Sequence, residues 1–425
     1  MFNEAFLIQA VWVSIPILFG CLGTIYSEKS GMLNLGTEGL MMTSAVFSFL
    51  GAYNVYTATS SAVLAGIVGI LCGIMSGIIL NLLYGLLTIV FKTNQTVTGL
   101  TLTILGVGIG NFIGKANTDK VLDVSVSEVF RGVSASGVQI PLLSKIPFVG
   151  NVFFTQNIFF YIALILVIIS NIYFYKTKYG LYLKAVGDNP ASAESVSINV
   201  NRYKFIHLVI AGAIISLGGS FFMVGYNNTK WLENVTSGYG WIAVALVIFA
   251  SWKPTRALFG SLLFGGLLLS FTLDTKAGLN VITSRSYPII ITLFIITILT
   301  YVIKKYYKKK IFSDKTQKNI LLVSSIITVL SLFLVIGGYN NSNFILLGLI
   351  IYSICNILII YLKPNRALLI NILMLYILLC LSNKDYLKMA PCFITVCTLC
   401  MVSMKKRISN KPPQSLGVSY FREER

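Results

Sequence analysis

The sequence is poor in acidic residues and in histidine. Its 425 residues include 14 Asp and Glu, 33 Lys and Arg and a single histidine, and charged residues make up only 11% of the chain. His207 has no nucleophile or carboxylate at a telling spacing and is interpreted as a satisfied core residue, and no GxxxxGK[ST] phosphate loop occurs. The sequence therefore offers no basis for catalysis or for nucleotide hydrolysis within this chain.

Hydrophobic residues, in contrast, make up 56% of the chain. A water-soluble core could not hold that much apolar surface, so the sequence predicts an integral protein of the lipid bilayer. The net charge of +19 would suggest nucleic acid in a soluble domain. Because the basic residues mostly flank apolar runs, we instead expect them to orient the chain in the membrane, without a nucleic-acid partner.

Cysteine gives no sign of a metal site. The seven cysteines lie within or at the edge of apolar runs and are interpreted as small hydrophobic residues. Cys397 and Cys400 have CxxC spacing, but no second pair of ligands accompanies them. We predict no metal and no cofactor in this chain.

Apolar runs of spanning length recur along the whole chain. They lie near 5–25, 37–54, 61–91, 95–115, 156–175, 206–226, 239–252, 255–273 and 287–303, and again near 319–337, 343–362, 367–382 and 389–404. This pattern predicts an all-α, polytopic transmembrane helical bundle of about nine core helices and about four C-terminal helices. We expect a core domain over 1–310, additional helices over 311–404 and a cytoplasmic tail over 405–425.

Lysine and arginine predict the orientation of the bundle. Segments 176–205 and 304–318 are the richest in these residues, and the positive-inside rule places both in the cytoplasm. Threading the apolar runs from these two segments puts the N-terminus outside and the C-terminus in the cytoplasm.

Two apolar runs carry glycines at helical spacing. The stripes are Gly69, Gly73 and Gly77, and then Gly106, Gly110 and Gly114. Such stripes let neighbouring helices approach closely in lipid. They are compatible with a tightly packed translocation core and equally with ordinary helix packing.

Polar residues lie at several boundaries of the apolar runs. The segment YSEKSGMLNLGTE (26–38) is either a gate or re-entrant element against protein or a water-filled cavity, or a plain cytoplasmic turn. Amides and hydroxyls elsewhere suit a polar, uncharged solute, although signals for helix starts explain part of the same pattern. The candidate residues for a substrate path or gate are Asn34, Glu38, Asn94, Gln95, Glu233 and Asn234.

The most informative stretch is the charged segment 176–205 between two lipid-length apolar runs. Asp188 or Asn189 can cap a helix, Pro190 suits its first position, and Glu194 suits its early turns. These signals predict a short helix near 190–197. Its small side chains would form a knob that fits a groove on a partner.

Four motifs resemble those of a known family. They are SEKSGMLNLGTEGLMM (27–42), NQTVTGL (94–100), GLYLKAVGDNPASAESVSINV (180–200) and ENVTSGYGWIAVALVIFASWKPTRALFGSLLFG (233–265). In this order they resemble the motifs of bacterial ABC-importer permeases of the branched-chain amino acid, simple sugar and nucleoside superfamily. The likeness is greatest to the shorter permease subunit of purine-nucleoside transporters. The chain departs from the family pattern at Ser192 and Ser197, where Ala and Gly are usual.

The resemblance implies a permease subunit of the bacterial cytoplasmic membrane that imports nucleosides. Its partners would be an ABC ATPase subunit that holds ATP and Mg, a second permease subunit and an extracytoplasmic substrate-binding lipoprotein. The loop that matches 180–200 receives the motion of the ATPase in this family. By position, that role would fall to Gly187, Asp188, Asn189, Pro190, Ala191 and Ala193.

Other functions stay open at this point. A simple-sugar or branched-chain amino acid permease would share the same coupling loop. An ion-coupled secondary transporter would need ionisable residues in mid-span, yet the windows 61–91, 156–175, 206–226 and 287–303 contain no Asp or Glu. A membrane-embedded enzyme would need a cluster of catalytic residues, which the sequence does not suggest.

Overall fold

The computed structural model describes residues 4–131, 152–226, 230–272 and 412–420. Apart from residues 271 and 272, these residues belong to one compact unit, Met1–Ser270 with Val402–Arg425. The apolar run 287–303, the basic segment 304–318 and the four C-terminal helices predicted over 311–404 lie outside the described residues. The boundaries at 310 and 404 therefore stay predictions.

The described residues are almost entirely helical, as the apolar runs predicted. The helices are α1 (Glu4–Lys29), α2 (Thr37–Thr59), α3 (Ala62–Gly85), α4 (Gln95–Lys115), α5 (Val124–Arg131), α6 (Ile158–Lys176), α7 (Lys178–Asp188), α8 (Pro190–Ser195), α9 (Val200–Ser220), α10 (Tyr239–Ala250) and α11 (Pro254–Thr272). Single π-helical turns, Leu86–Val90 and Phe221–Gly225, extend α3 and α9.

Local sequence signals explain where several helices begin. A side-chain oxygen accepts a hydrogen bond from the first turn of α4, α6, α7, α8 and α9, and the capping residues are Asn94, Asn157, Thr177, Asn189 and Asn199. These caps satisfy backbone N–H groups that have no partner within the helix.

Five of the described helices are long and apolar enough to cross a membrane by length and composition. They cover Leu7–Lys29, Ala62–Val90, Gln95–Lys115, Ile158–Lys176 and Val200–Gly225. Helix α10 is apolar but has only 12 residues, about 18 Å, so it is too short to span a bilayer alone. The chain is a multi-pass helical membrane protein.

Helix α2 lies in the centre of the bundle, against α3, α4 and α9. Part of each glycine stripe faces it, whereas Gly77 faces Ser216 on α9 and Gly114 faces Trp231. A Cβ on Gly73 would lie 2.9 Å from the carbonyl oxygen of Ser44, and one on Gly106 would lie 2.5 Å from that of Gly39. The stripes thus allow close packing of α3 against α2 and α9, and of α4 against α2, which is the ordinary helix-packing interpretation.

The opposite faces of these helices are apolar and exposed. Leu71 and Ile79 on α3, Ile104 and Phe112 on α4, and Ile168 on α6 are all at least half exposed. Such faces fit contact with lipid or with another membrane subunit.

Both ends of the bundle consist of loops and helix termini. The end formed by 29–36, 91–95, 176–205, 251–256 and 412–420 is called the basic end. The end formed by 59–62, 115–123 and 230–238 is called the opposite end, where Val121 and Lys230 form an isolated antiparallel bridge.

Candidate functional site

The loop 30–36 between α1 and α2, called the buried loop, folds back into the bundle. Asn34 is only 2% exposed. Its Nδ2 donates to Asn81 Oδ1 at 2.7 Å, and its Oδ1 accepts from the backbone N–H of Gly36 at 2.7 Å. Asn81 Nδ2 donates in turn to the carbonyl of Leu208 at 2.6 Å. This amide relay ties the buried loop to α3 and α9.

The same loop runs along α4. The N–H of Leu33 donates to Gln95 Oε1 at 2.8 Å, and Thr103 Oγ1 donates to the carbonyl of Leu35 at 2.9 Å. Gln95 and Thr103 are separated by about 12 Å along the helix axis. The loop therefore re-enters the bundle, as the first of the two interpretations of 26–38 predicted, and its role as a gate stays a prediction.

Glu38, in the first turn of α2, holds the start of α10. Its carboxylate accepts from the backbone N–H groups of Gly240 at 2.8 Å and Gly238 at 3.2 Å, and from Thr236 Oγ1 at 3.3 Å. Three donors around one buried carboxylate satisfy its charge without a cation. Gly240 has no room for a side chain here, because a Cβ would lie 2.5 Å from the backbone of Glu38.

A second buried carboxylate holds the other end of α10. Trp252 Nε1 donates to Glu28 Oε2 at 2.5 Å, and Glu28 is 3% exposed. Trp252 has a φ of +56°, which lies in the left-handed region that residues with side chains rarely adopt. Sequence reasoning did not connect these two residues, because nothing local relates them.

The other predicted path residues lie elsewhere. Asn94 is exposed and caps α4. Glu233 and Asn234 are exposed at the opposite end, where Asn234 exchanges two hydrogen bonds with Asn111 at 2.7 and 3.0 Å. The structure thus brings Asn34 and Gln95 together at the buried loop and places Glu38 beside it on α2, whereas Asn94, Glu233 and Asn234 do not join them.

His207 is satisfied, as the sequence predicted. Its Nε2 lies 2.9 Å from the hydroxyl of Tyr173, and its Nδ1 lies 2.6 Å from the carbonyl of Tyr203.

The short helix predicted near 190–197 is present as α8. Asn189 caps it by accepting from the N–H of Ser192 at 3.1 Å, and Pro190 is its first residue. Pro190 and Ala193 are buried on the inner face. The outer face, which consists of Ala191, Ser192, Ser195 and Val196, is exposed, and Val196 is 67% exposed.

The helix α8 rests on a small hydrophobic cluster. Val186, Ala193 and Val200 form its buried part. Gly187, at the end of α7, lies so close to the carbonyl of Lys29 that a Cβ there would collide with it. Through this contact the end of α7, which leads into α8, packs directly against the end of α1. Asp188 lies at the C-terminal end of α7, half-buried between these elements.

Comparison with known proteins identifies the family. Residues 6–275 match the family model described as "Branched-chain amino acid transport system / permease component". The guanosine ABC transporter permease protein NupQ of Bacillus subtilis is 32% identical over 59% of this chain and 76% of its own length. The nucleoside ABC transporter permease protein NupC of Lactococcus lactis is 29% identical over 59% of this chain and 77% of its own.

A relative with a different name matches as well. The putative glucose ABC transporter permease protein TsgC13 of Haloferax volcanii is 32% identical over 65% of this chain and 82% of its own length. No solved structure matches the chain. Because the family model covers more than half of the chain, this protein belongs to the branched-chain amino acid transport system permease family: it is a membrane-embedded ABC transporter permease and not an enzyme.

Proposed function

We propose that this protein is the permease subunit of a nucleoside importer in a bacterial cytoplasmic membrane. An ABC ATPase subunit docks on the outer face of α8, a second permease subunit completes the path, and a substrate-binding lipoprotein delivers the solute. The observation that carries the proposal is α8 itself. A capped helix with a buried inner face and an exposed outer face of small residues is a docking element, because a linker would need neither.

The contacts around α8 suggest how motion passes into the bundle. Gly187 lies against Lys29, the last residue of α1. The buried loop begins at the next residue, and its Asn34 is bonded to α3 and α9 through Asn81. A displacement of α8 therefore reaches the loop through packed backbone. In this proposal the buried loop is the gate that opens when α8 moves.

Co-purification tests the docking. We expect the ATPase expressed with this protein to be recovered with it, and to be lost when Asp188–Ala193 is replaced by a Gly/Ser linker. A finer test is Ser192→Trp, which places a bulky ring on the outer face of α8. Ser237→Trp is the matched control, because Ser237 is exposed at the opposite end. Equal recovery of the ATPase with both variants would contradict the docking site.

The solute class rests on the relatives whose names refer to guanosine and to nucleosides. We expect adenosine, guanosine or inosine to stimulate the ATPase of the complete assembly, with its binding lipoprotein, in proteoliposomes. Ribose, glucose and leucine are the comparison solutes. Stimulation by glucose or ribose alone would replace the nucleoside by a sugar, in line with the glucose-named relative.

Ion coupling is the competing mechanism. Uptake in vesicles that follows a proton or sodium gradient and ignores ATP would favour a secondary transporter. The described spans 62–90, 95–115, 158–176 and 200–225 contain no Asp or Glu. The two buried carboxylates, Glu28 and Glu38, already accept hydrogen bonds that hold α10, so we expect uptake to require ATP instead.

A further inference from the structure

Residues 412–420, called the strap, pack against the basic end of the bundle. The N–H of Ser415 donates to the carbonyl of Gly187 at 3.0 Å, and its Oγ donates to the same carbonyl at 2.5 Å. Two residues later, the N–H of Gly417 donates to the carbonyl of Gly31 at 3.2 Å. Two residues of the strap, Ser415 and Gly417, thus bind the end of α7 and the start of the buried loop.

The strap also contacts the start of α4. Gln95 Nε2 donates to the carbonyl of Val418 at 3.4 Å, while Gln95 Oε1 accepts from Leu33 of the buried loop. Lys92 Nζ donates to the carbonyl of Tyr420 at 2.7 Å. Gln95 therefore joins the strap and the buried loop through one side chain.

Tyr420 links the strap to α8. Its ring packs against the cluster of Val186, Ala193 and Val200, and its hydroxyl donates to the carboxylate of Glu194. Tyr420 and Glu194 also line a cavity of about 420 Å³ together with Lys92 and residues 197–201. All these contacts lie on the inner and lateral sides of α8.

The shape of the strap is encoded locally. The N–H of Leu416 donates to the carbonyl of Pro413 at 3.2 Å, and that of Val418 to Ser415 at 3.1 Å. Gly417 has a φ of +78°, which glycine adopts without steric cost. The segment thus forms a defined turn instead of an extended tail.

The outer face of α8 remains uncovered, because Ser192, Ser195 and Val196 are exposed while the strap is in place. The strap therefore does not block that face. We propose that the strap is a coupling element: it joins α8, the buried loop and the start of α4 into one body, so that displacement of α8 moves the buried loop. This inference rests on the proposed function, and Ser415 and Tyr420 are its positioning residues.

The first test measures coupling. Ser415→Pro removes both bonds to Gly187, and Tyr420→Ala removes the ring and the bond to Glu194. Gln414→Ala is the control, because Gln414 is exposed within the same turn. We expect both strap variants to retain the ATPase but to take up roughly tenfold less solute per ATP hydrolysed, since each loses bonds that hold the body together. The control should match the unmodified protein.

Other outcomes would overturn the inference. Unchanged uptake per ATP in both strap variants would mean that the strap does not contribute to coupling. Increased uptake per ATP would mean that the strap inhibits transport. Loss of the ATPase with Ser415→Pro would make it part of the docking surface instead. If the unmodified protein recovers no ATPase at all, the proposed function fails, and the second test still reports on the strap.

The second test is a disulfide between the strap and the buried loop. A Cβ on Gly417 would lie 3.7 Å from the Cβ of Leu33, within the range found in disulfides. We expect Leu33→Cys with Gly417→Cys to crosslink under copper phenanthroline and oxygen, whereas either single variant should not. Because strap and loop move together in this proposal, the crosslinked protein should keep its uptake within about twofold of the reduced protein. Because Gly417 has a left-handed φ, the single Gly417→Cys variant measures the cost of a side chain at this position and is the reference for uptake. Uptake that falls in the crosslinked protein and returns on reduction would contradict the proposal.

Discussion

At the scale of residues, buried amides carry the polar contacts of the buried loop. Asn34 and Asn81 are 2% and 0% exposed, and the hydrogen bonds between them, Gly36 and Leu208 satisfy both side chains. An amide has donors and acceptors but no charge, so it can bridge helices within the bundle without the desolvation cost of an ion. Because both amides are buried, removal of either side chain leaves the groups bonded to it without a hydrogen-bond partner, which lowers the free energy of unfolding.

We expect Asn34→Ala to destabilise the protein strongly. It leaves Asn81 Oδ1 and the N–H of Gly36 buried without a partner, at about 1–3 kcal/mol each. Asn94→Ala is the control, because Asn94 is an exposed cap whose loss costs about 1 kcal/mol. Thermal unfolding in detergent measures both, and a smaller loss for Asn34→Ala than for Asn94→Ala would contradict the relay.

A substitution at Ser197 is expected to stabilise the protein. Its φ is +63°, a left-handed conformation that costs a residue with a side chain about 1–2 kcal/mol. Ser197→Gly should therefore raise the unfolding free energy by about 0.5–1 kcal/mol after the greater chain entropy of glycine is subtracted. Ser192→Gly, within α8, should lower it by about 0.5–1 kcal/mol. The same unfolding assay compares the two, and equal shifts would contradict the assigned backbone.

At the scale of elements, two carboxylates from α1 and α2 hold the short helix α10 at its ends. Glu38 accepts from the first turn of α10, where the positive end of the helix dipole favours an acid. Glu28 accepts from Trp252 just beyond its last residue. A helix of about 18 Å cannot be held by spanning the bilayer, so these two contacts position it.

We expect Glu38→Ala to release the start of α10. The backbone N–H groups of Gly238 and Gly240 lose their acceptor, and Thr236 keeps only a long contact to the sulfur of Met42 at 3.5 Å. The unfolding free energy should fall by at least about 2 kcal/mol, since each unsatisfied buried group costs about 1–3 kcal/mol. Glu233→Ala is the control, because Glu233 is exposed on the neighbouring loop. Labelling of a Tyr239→Cys reporter should also become faster in Glu38→Ala alone.

The elements show what sequence can predict. Helix α8 was predicted because its signals are local: Asn189 and Pro190 act within one turn. The buried loop was predicted only as one of two alternatives, since its partners Asn81 and Leu208 lie on distant helices. The contacts of the strap were not predicted at all. They are made mostly by backbone atoms of 412–420, which carry no pattern of residue types.

At the scale of the whole molecule, charge separates the two ends of the bundle. Within the described residues the basic end carries nine basic residues, offset by Asp188 and Glu194; the nine are Lys29, Lys92, Lys176, Lys178, Lys184, Arg202, Lys204, Lys253 and Arg256. The opposite end carries Lys115, Lys120 and Lys230, offset by Asp119, Asp123 and Glu233. By the positive-inside rule, we therefore propose that the basic end, with α8 and the strap, faces the cytoplasm.

Labelling of single cysteines tests this orientation. Ser192→Cys, on the outer face of α8, should react with a membrane-impermeant maleimide in inside-out vesicles and not in intact cells. Ser237→Cys, exposed at the opposite end, should show the reverse. Unmodified protein controls for the seven native cysteines; among the described residues, Cys21 is buried and Cys72 is partly buried. The ATPase is a cytoplasmic partner in this proposal. Labelling of Ser192→Cys from outside intact cells would therefore place α8 on the side of the membrane without the ATPase, and it would contradict both the docking face and the coupling role of the strap.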